Sequence, residues 1–132
     1  MYPKVVLYDY AMKLVGLPYR WGGDDAIDGF DCSGLVLELL VSCGAFPSGR
    51  DASAQNIFDH FSTSNVASPT FGTLVLFGKG PKEVTHIGFC VNELQMIEAG
   101  GGGSKTKTLQ DASNHNAYVR LRPILNRKDI VG

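Results

Sequence analysis

The apolar residues of this chain change period at Pro69. Before it they recur at helical spacing, and beyond it they alternate. Residues 3–15 read as a helix, with Pro3 in the first turn and Gly16 at the C-terminal cap. Val6, Tyr10, Leu14 and Leu17 are then expected to face the core. A second helix begins at Asp31-Cys32-Ser33 and ends near Cys43, before Gly44. Leu35, Val36, Leu39, Leu40 and Cys43 form a stripe wide enough for a buried helix, and Asp31 is placed to cap it. Ser53 caps a third, short helix carrying Ala54, Ile57, Phe58 and Phe61. Residues 73–77, 85–91, 94–99 and 117–122 read as strands. Helices first and strands afterwards predict an α+β fold, with N-terminal helices packed on a C-terminal antiparallel sheet. With no repeat and no linker, residues 1–132 are expected to form a single domain.

Composition narrows what such a fold could do. Apolar residues make up 44% of the 132 and charged residues 19%, which excludes a disordered tail. Twelve basic against 13 acidic residues leave a net charge of −1, so no global field favours nucleic acid or an acidic membrane. The one basic cluster, Arg120, Arg122, Arg127 and Lys128, reads as surface charge rather than a polyanion site. No apolar run approaches the ~18 residues of a membrane span, so no membrane insertion is expected. The first residues lack the apolar stretch of a secretory signal. The chain is therefore expected to be made in the cytoplasm and to leave it, if at all, by release or delivery. Three cysteines, Cys32, Cys43 and Cys90, cannot all pair and show no CxxC spacing, so neither a disulfide framework nor a zinc site is expected.

A free thiol at a helix start is a candidate for chemistry. Cys32 there faces unpaired backbone N–H groups and the positive end of the helix dipole, both favouring thiolate. Cys43 lies 11 residues further along the same helix, about 16 Å away by helix rise, and reads as core. Cys90 reads as structural. The candidate base is His86, on a strand whose alternation sets His86, Gly88 and Cys90 on one face. Gly88 keeps that face small, so the helix carrying Cys32 could fit against it. An odd-numbered loop centred on Asn92 would place Glu98 directly opposite His86, where it could orient the imidazole. A two-residue turn would send Glu98 to the far face. His60 and His115 read as surface histidines.

Two further features suggest ligands by composition alone. Asp24, Asp25, Asp28 and Asp31 do not fit the spacing of a calcium loop; they read as a loop that caps a helix and contacts substrate amines, with no metal. The glycines Gly100, Gly101, Gly102 and Gly103 lack a phosphate-loop signature and read as the mobile rim of a cleft.

Taken together, the blocks Gly16-Leu17-Pro18-Tyr19-Arg20-Trp21-Gly22-Gly23, Gly29-Phe30-Asp31-Cys32-Ser33-Gly34-Leu35-Val36, Gly72-Thr73-Leu74-Val75-Leu76-Phe77, His86-Ile87-Gly88-Phe89 and Met96-Ile97-Glu98-Ala99 resemble the NlpC/P60 family of cell-wall cysteine peptidases. The resemblance implies a permuted papain-like core, with Cys32 as nucleophile, His86 as base and Glu98 as the third member, a position more often held by histidine. It implies that Tyr19 helps bind the oxyanion and that Asp31 and Ser33 have structural and substrate-binding parts. It also implies a hydrolase without a cofactor, acting on an amide in the peptide stem of peptidoglycan, commonly the γ-D-glutamyl to diamino acid bond. The alternatives are a muramoyl–L-alanine amidase, an acyltransferase or deamidase on another substrate, or a silent cell-wall-binding module. A compact version resembles phage-type or tail-associated enzymes, or an injected toxin with an immunity protein as partner.

Overall fold

The computed structural model describes residues 4–25, 27–47 and 52–132. Pro3, expected in the first helical turn, lies outside the described residues. Helix α1 (Lys4–Lys13) buries Leu7 and Ala11, and Leu14 continues that stripe. Val6, expected inside, is 46% exposed. Three consecutive apolar residues, Val5, Val6 and Leu7, left the helical phase open, and packing selected Leu7. Tyr10 is half-buried, and its hydroxyl donates to Glu38 at 3.0 Å, fastening α1 to the next helix.

The Trp21-to-Phe30 loop contains a hairpin that the sequence reading missed, β1 (Asp24–Asp25) with β2 (Gly29–Phe30). Two-residue strands are too short to show alternation. Helix α2 (Cys32–Ser42) follows, capped by Asp31 as expected. Helix α3 (Ala54–Phe61) is capped by Ser53, with Asn56 completing a reciprocal capping box.

Strands β3 (Leu74–Gly78), β4 (Val84–Cys90), β5 (Gln95–Gly100) and β6 (Tyr118–Pro123) form an antiparallel sheet in sequence order. Helix α4 (Leu109–His115), between β5 and β6, is an element that the sequence pattern did not assign. Its single buried residue, Ala112, gives no apolar period; its signal is the Thr108–Asp111 capping box.

Helix α2 packs across β4 and β5. Leu35, Val36, Leu39 and Leu40 meet Leu76, Ile87, Phe89 and Ile97 in one buried core. That places α2 on the opposite face of β4 from the one expected. The space left by Gly88 is taken by the Met96 side chain, within a second small cluster of Val75, Phe77, Cys90, Met96 and Ile124. The reason is hydrophobic. Ile87 and Phe89 offer an apolar face for a leucine-rich helix, and the His86 face does not.

The β4–β5 register also differs from expectation. Phe89 pairs with Ile97 and Cys90 with Met96, so the odd-numbered loop is centred on Glu93. Asn92 closes this loop by accepting the Leu94 and Gln95 N–H groups, each at 2.8 Å. A shift of two residues preserves side-chain parity. Glu98 therefore stays on the His86 face but sits diagonally across the ladder.

Candidate active site

Cys32 is the first residue of α2, and the Asp31 side chain secures that turn. One Asp31 oxygen accepts the Gly34 N–H at 2.7 Å and the Ser33 hydroxyl at 3.3 Å. The other accepts the Gly22 N–H at 3.1 Å. One carboxylate thus caps the helix and ties the Gly22-Gly23 loop to the thiol-bearing turn. Two other aspartates of that group, Asp25 and Asp28, serve the loop. Asp25 accepts the Ile27 and Asp28 N–H groups at 3.0 and 2.7 Å, and Asp28 pairs with Arg20 at 3.2 Å.

The Cys32 sulfur lies 3.9 Å from the Thr85 carbonyl, so α2 meets β4 near its first residues. His86 follows directly, 8% exposed. Its Nε2 is 2.6 Å from Glu98 Oε2, so Nδ1 is the ring nitrogen outside that bond. Burial pulls the imidazole down, but the hydrogen bonds and charges of Cys32 and Glu98 outweigh it and push it up to about 9. Burial opposes ionisation of Glu98 in turn. The bond from His86 and the charges of His86, Arg122 and Arg127 prevail and hold it below the usual carboxylate range. The three side chains act as one electrostatic unit, and a shift of the imidazole proton toward neutrality weakens both contacts.

Tyr19 is 5% exposed. Burial first, then the charges of Cys32 and Asp31, raise its hydroxyl well above its ordinary range, so it remains a proton donor. Gly102 lies against its ring, and a Cβ there would run into the ring atoms. The Gly103 N–H donates to Thr106 Oγ1 at 3.1 Å, and the Thr106 carbonyl accepts the Trp21 N–H at 2.7 Å. Gly100, Gly101, Gly102 and Gly103 line the cleft, as expected of its rim, and Gly102 is fitted over the Tyr19 ring, a close approach that requires glycine.

These groups line an open cleft of about 990 Å³. It brings together all six residues singled out from the sequence: Tyr19, Asp31, Cys32, Ser33, His86 and Glu98. Trp21, 52% exposed, stands at its edge. The sequence reading missed a stack beneath the histidine. The Phe77 ring is 5.6 Å from that of His86, and the Arg127 guanidinium lies 4.9 Å over the Phe77 ring. No local motif announces it, because Phe77 reads as an ordinary strand hydrophobe and Arg127 as a tail charge. The remaining cysteines lie elsewhere. Cys90 is buried, which pushes its thiol up to about 11, and Cys43 Sγ is 3.4 Å from the Leu40 carbonyl. His60 and His115 are exposed as expected, although His115 Nδ1 bonds Thr106 Oγ1 at 2.8 Å.

A thiol at a helix start, and an imidazole bonded to a carboxylate, on one open cleft are a residue set that can support acyl transfer. Residues 16–122 match the NlpC/P60 family. The chain is 33% identical over 112 residues to the probable peptidoglycan endopeptidase LytE of Bacillus subtilis, covering 85% of this chain and 30% of the relative. It is 35% identical over 105 residues to the bifunctional muramidase/DL-endopeptidase CwlT of the same organism, covering 76% and 30%. The chain thus spans about 30% of the length of these curated relatives. Among solved structures, an NlpC/P60 family protein from Bacillus cereus superposes with a TM-score of 0.66 at 21% identity, covering 99% of this chain and 39% of that one.

Proposed function

The chain belongs to the NlpC/P60 family, and from that premise we propose that it is a cysteine hydrolase of the peptidoglycan stem peptide, working through Cys32, His86 and Glu98. The observation that carries this reading is His86 held between Cys32 and Glu98 on an open cleft. The relatives' activities, peptidoglycan endopeptidase and DL-endopeptidase, favour the γ-D-glutamyl to diamino acid bond.

The chemistry follows from the charges. The His86 imidazolium, raised to about 9, favours the thiolate form of Cys32 beside it, and that thiolate attacks the amide carbonyl. Negative charge develops on the carbonyl oxygen, where the Cys32 N–H and the Tyr19 hydroxyl serve as donors. His86 passes its proton to the departing amine as the C–N bond breaks, leaving a thioester on Cys32. The neutral imidazole next takes a proton from water. The resulting hydroxide attacks the thioester, and the thiolate leaves with imidazolium restored. Glu98 stays ionised throughout, fixing the ring and stabilising its charge. Asp31 and Ser33, beside the nucleophile, shape the entrance for the peptide.

Digestion of purified muropeptides, with products identified by mass spectrometry, tests this reading. Wild type is expected to release stem-peptide fragments cut between D-glutamate and the diamino acid, and Cys32→Ala to release none. The same fragments from both proteins would remove Cys32 from its role. An uncut mixture would turn the assignment toward a binding module.

A further inference from the structure

The basic cluster that the sequence left as surface charge does not point away from the site. Arg120, Arg122 and Arg127 all line the cleft that holds Cys32. Arg120 stands opposite Glu98 on the β5–β6 ladder and Arg122 opposite Met96, so both lie on the His86–Glu98 face. Their bonding differs. Arg127 is neutralised by Asp129, its Nε and Nη2 donating at 2.9 and 2.6 Å. Arg120 gives Nη2 to the Asn116 carbonyl at 3.2 Å, while its Nε is buried without a hydrogen-bond partner. Arg122 is half-buried, and its guanidinium makes no hydrogen bond or salt bridge among the described residues; its charge is felt by Glu98.

Two guanidinium groups with unused donors on one wall of a cleft are a poor arrangement for stability alone. A partly desolvated cation gains little from a carboxylate already committed to an imidazolium. The planar fork of arginine matches a carboxylate in geometry and charge. The other acids of the cleft are taken. Asp31 accepts backbone and hydroxyl donors, and Glu98 holds His86.

We propose that Arg122, with Arg120 beside it, binds a carboxylate of the substrate peptide and so makes the cleft selective for free over amidated stem peptides. This deepens the function proposed above and rests on it. A γ-linked D-glutamyl residue leaves its α-carboxylate uncommitted, a short carbon chain from the scissile carbonyl, and the peptide's C-terminus supplies a second carboxylate. The chemistry is the same for both, and the experiment separates them.

Four synthetic L-Ala–γ-D-Glu–L-Lys peptides, lysine being the diamino acid, serve as probes, with each of these two carboxylates either free or amidated. Cleavage is followed for wild type, Arg122→Gln and Arg122→Lys, and binding is measured by calorimetry on Cys32→Ala protein with and without Arg122→Gln. Amidation at the recognised position is expected to lower wild-type kcat/KM roughly tenfold to a hundredfold, as loss of a charged hydrogen bond does. Arg122→Gln should level that ratio, and Arg122→Lys should restore part of it. The position at which amidation matters names the carboxylate. Equal rates on all four peptides, or a preference that survives Arg122→Gln, would overturn the proposal. So would an equal fall in kcat on every peptide with the ratio unchanged, since Arg122 would then act only through Glu98. Failure of wild type to cut any peptide would sink the hydrolase reading. Calorimetry then decides the inference by itself, upheld by a free-carboxylate preference that depends on Arg122 and overturned without one.

Discussion

At His86, burial alone would lower the imidazole, yet its two neighbours lift it to about 9. Remove either and the balance moves toward burial. In ¹³C-detected titrations, Cys32→Ala and Glu98→Gln should each bring His86 down from about 9, and kcat/KM of the wild type should fall as pH rises through that value. The sign for stability follows from linkage. A group raised on folding, from 6.5 to about 9, contributes fully below 6.5 and loses its contribution as pH climbs between the two. Glu98 is lowered from 4.5, so its contribution holds above 4.5 and is lost as pH falls. The gap in urea midpoint between wild type and Glu98→Gln should therefore be widest between these limits and close toward alkaline pH. On activity, Glu98→Gln should cost roughly two to four orders of magnitude, because an amide orients a ring without stabilising its charge. Alkylation with iodoacetamide near neutral pH should mark Cys32 before Cys43 and leave Cys90, fully buried and pushed up to about 11, unmarked until the chain unfolds.

Among the elements, the first turn of α2 and the β4–β5 hairpin set the site, and they differ in how far the sequence disclosed them. The α2 turn was fully legible, because capping is local: Asp31, its acceptor role and the thiol after it are adjacent in sequence. Its loss should be costly on two counts. Asp31→Ala removes the cap of α2 and the tether to Gly22, for about 1–2 kcal/mol of stability, seen as a lower melting temperature. Activity should fall further than stability explains, since the Cys32 turn loses its anchor. The hairpin was legible only in parity. Alternation fixes which face a residue takes, whereas the loop centre depends on Asn92 accepting two backbone N–H groups, a choice that a polar Asn-Glu-Leu stretch leaves open. Glu98 reached His86 regardless, because a carboxylate on a flexible stem spans the diagonal of the ladder. The close fit of Gly102 over Tyr19 was hidden for a related reason. Four glycines look alike whether they are loose or closely packed, and only the ring beneath Gly102 tells them apart.

Across the whole molecule, the site joins the two periodic halves of the chain, with the sulfur on a helix and the histidine and glutamate on the sheet. The α+β order was readable because the change of period is a bulk property of the sequence. Which face of β4 would receive α2 was not, because that depends on comparing Ile87 and Phe89 with the Met96-filled space over Gly88. What holds helix and sheet together at the site is thus the shared core between α2, β4 and β5, while the Asp31 bonds fix the turn that carries the sulfur. Leu39, fully buried in that core, lies well along α2 from Cys32 and off the cleft lining. Leu39→Ala leaves every site residue in place while opening a cavity, and should cost about 2–5 kcal/mol. If the core alone sets the geometry, activity and far-ultraviolet circular dichroism should be lost together on heating, at a lowered midpoint, and kcat well below that midpoint should stay near wild type. Activity lost well below the dichroism transition would mean instead that α2 loosens from the sheet before either half unfolds.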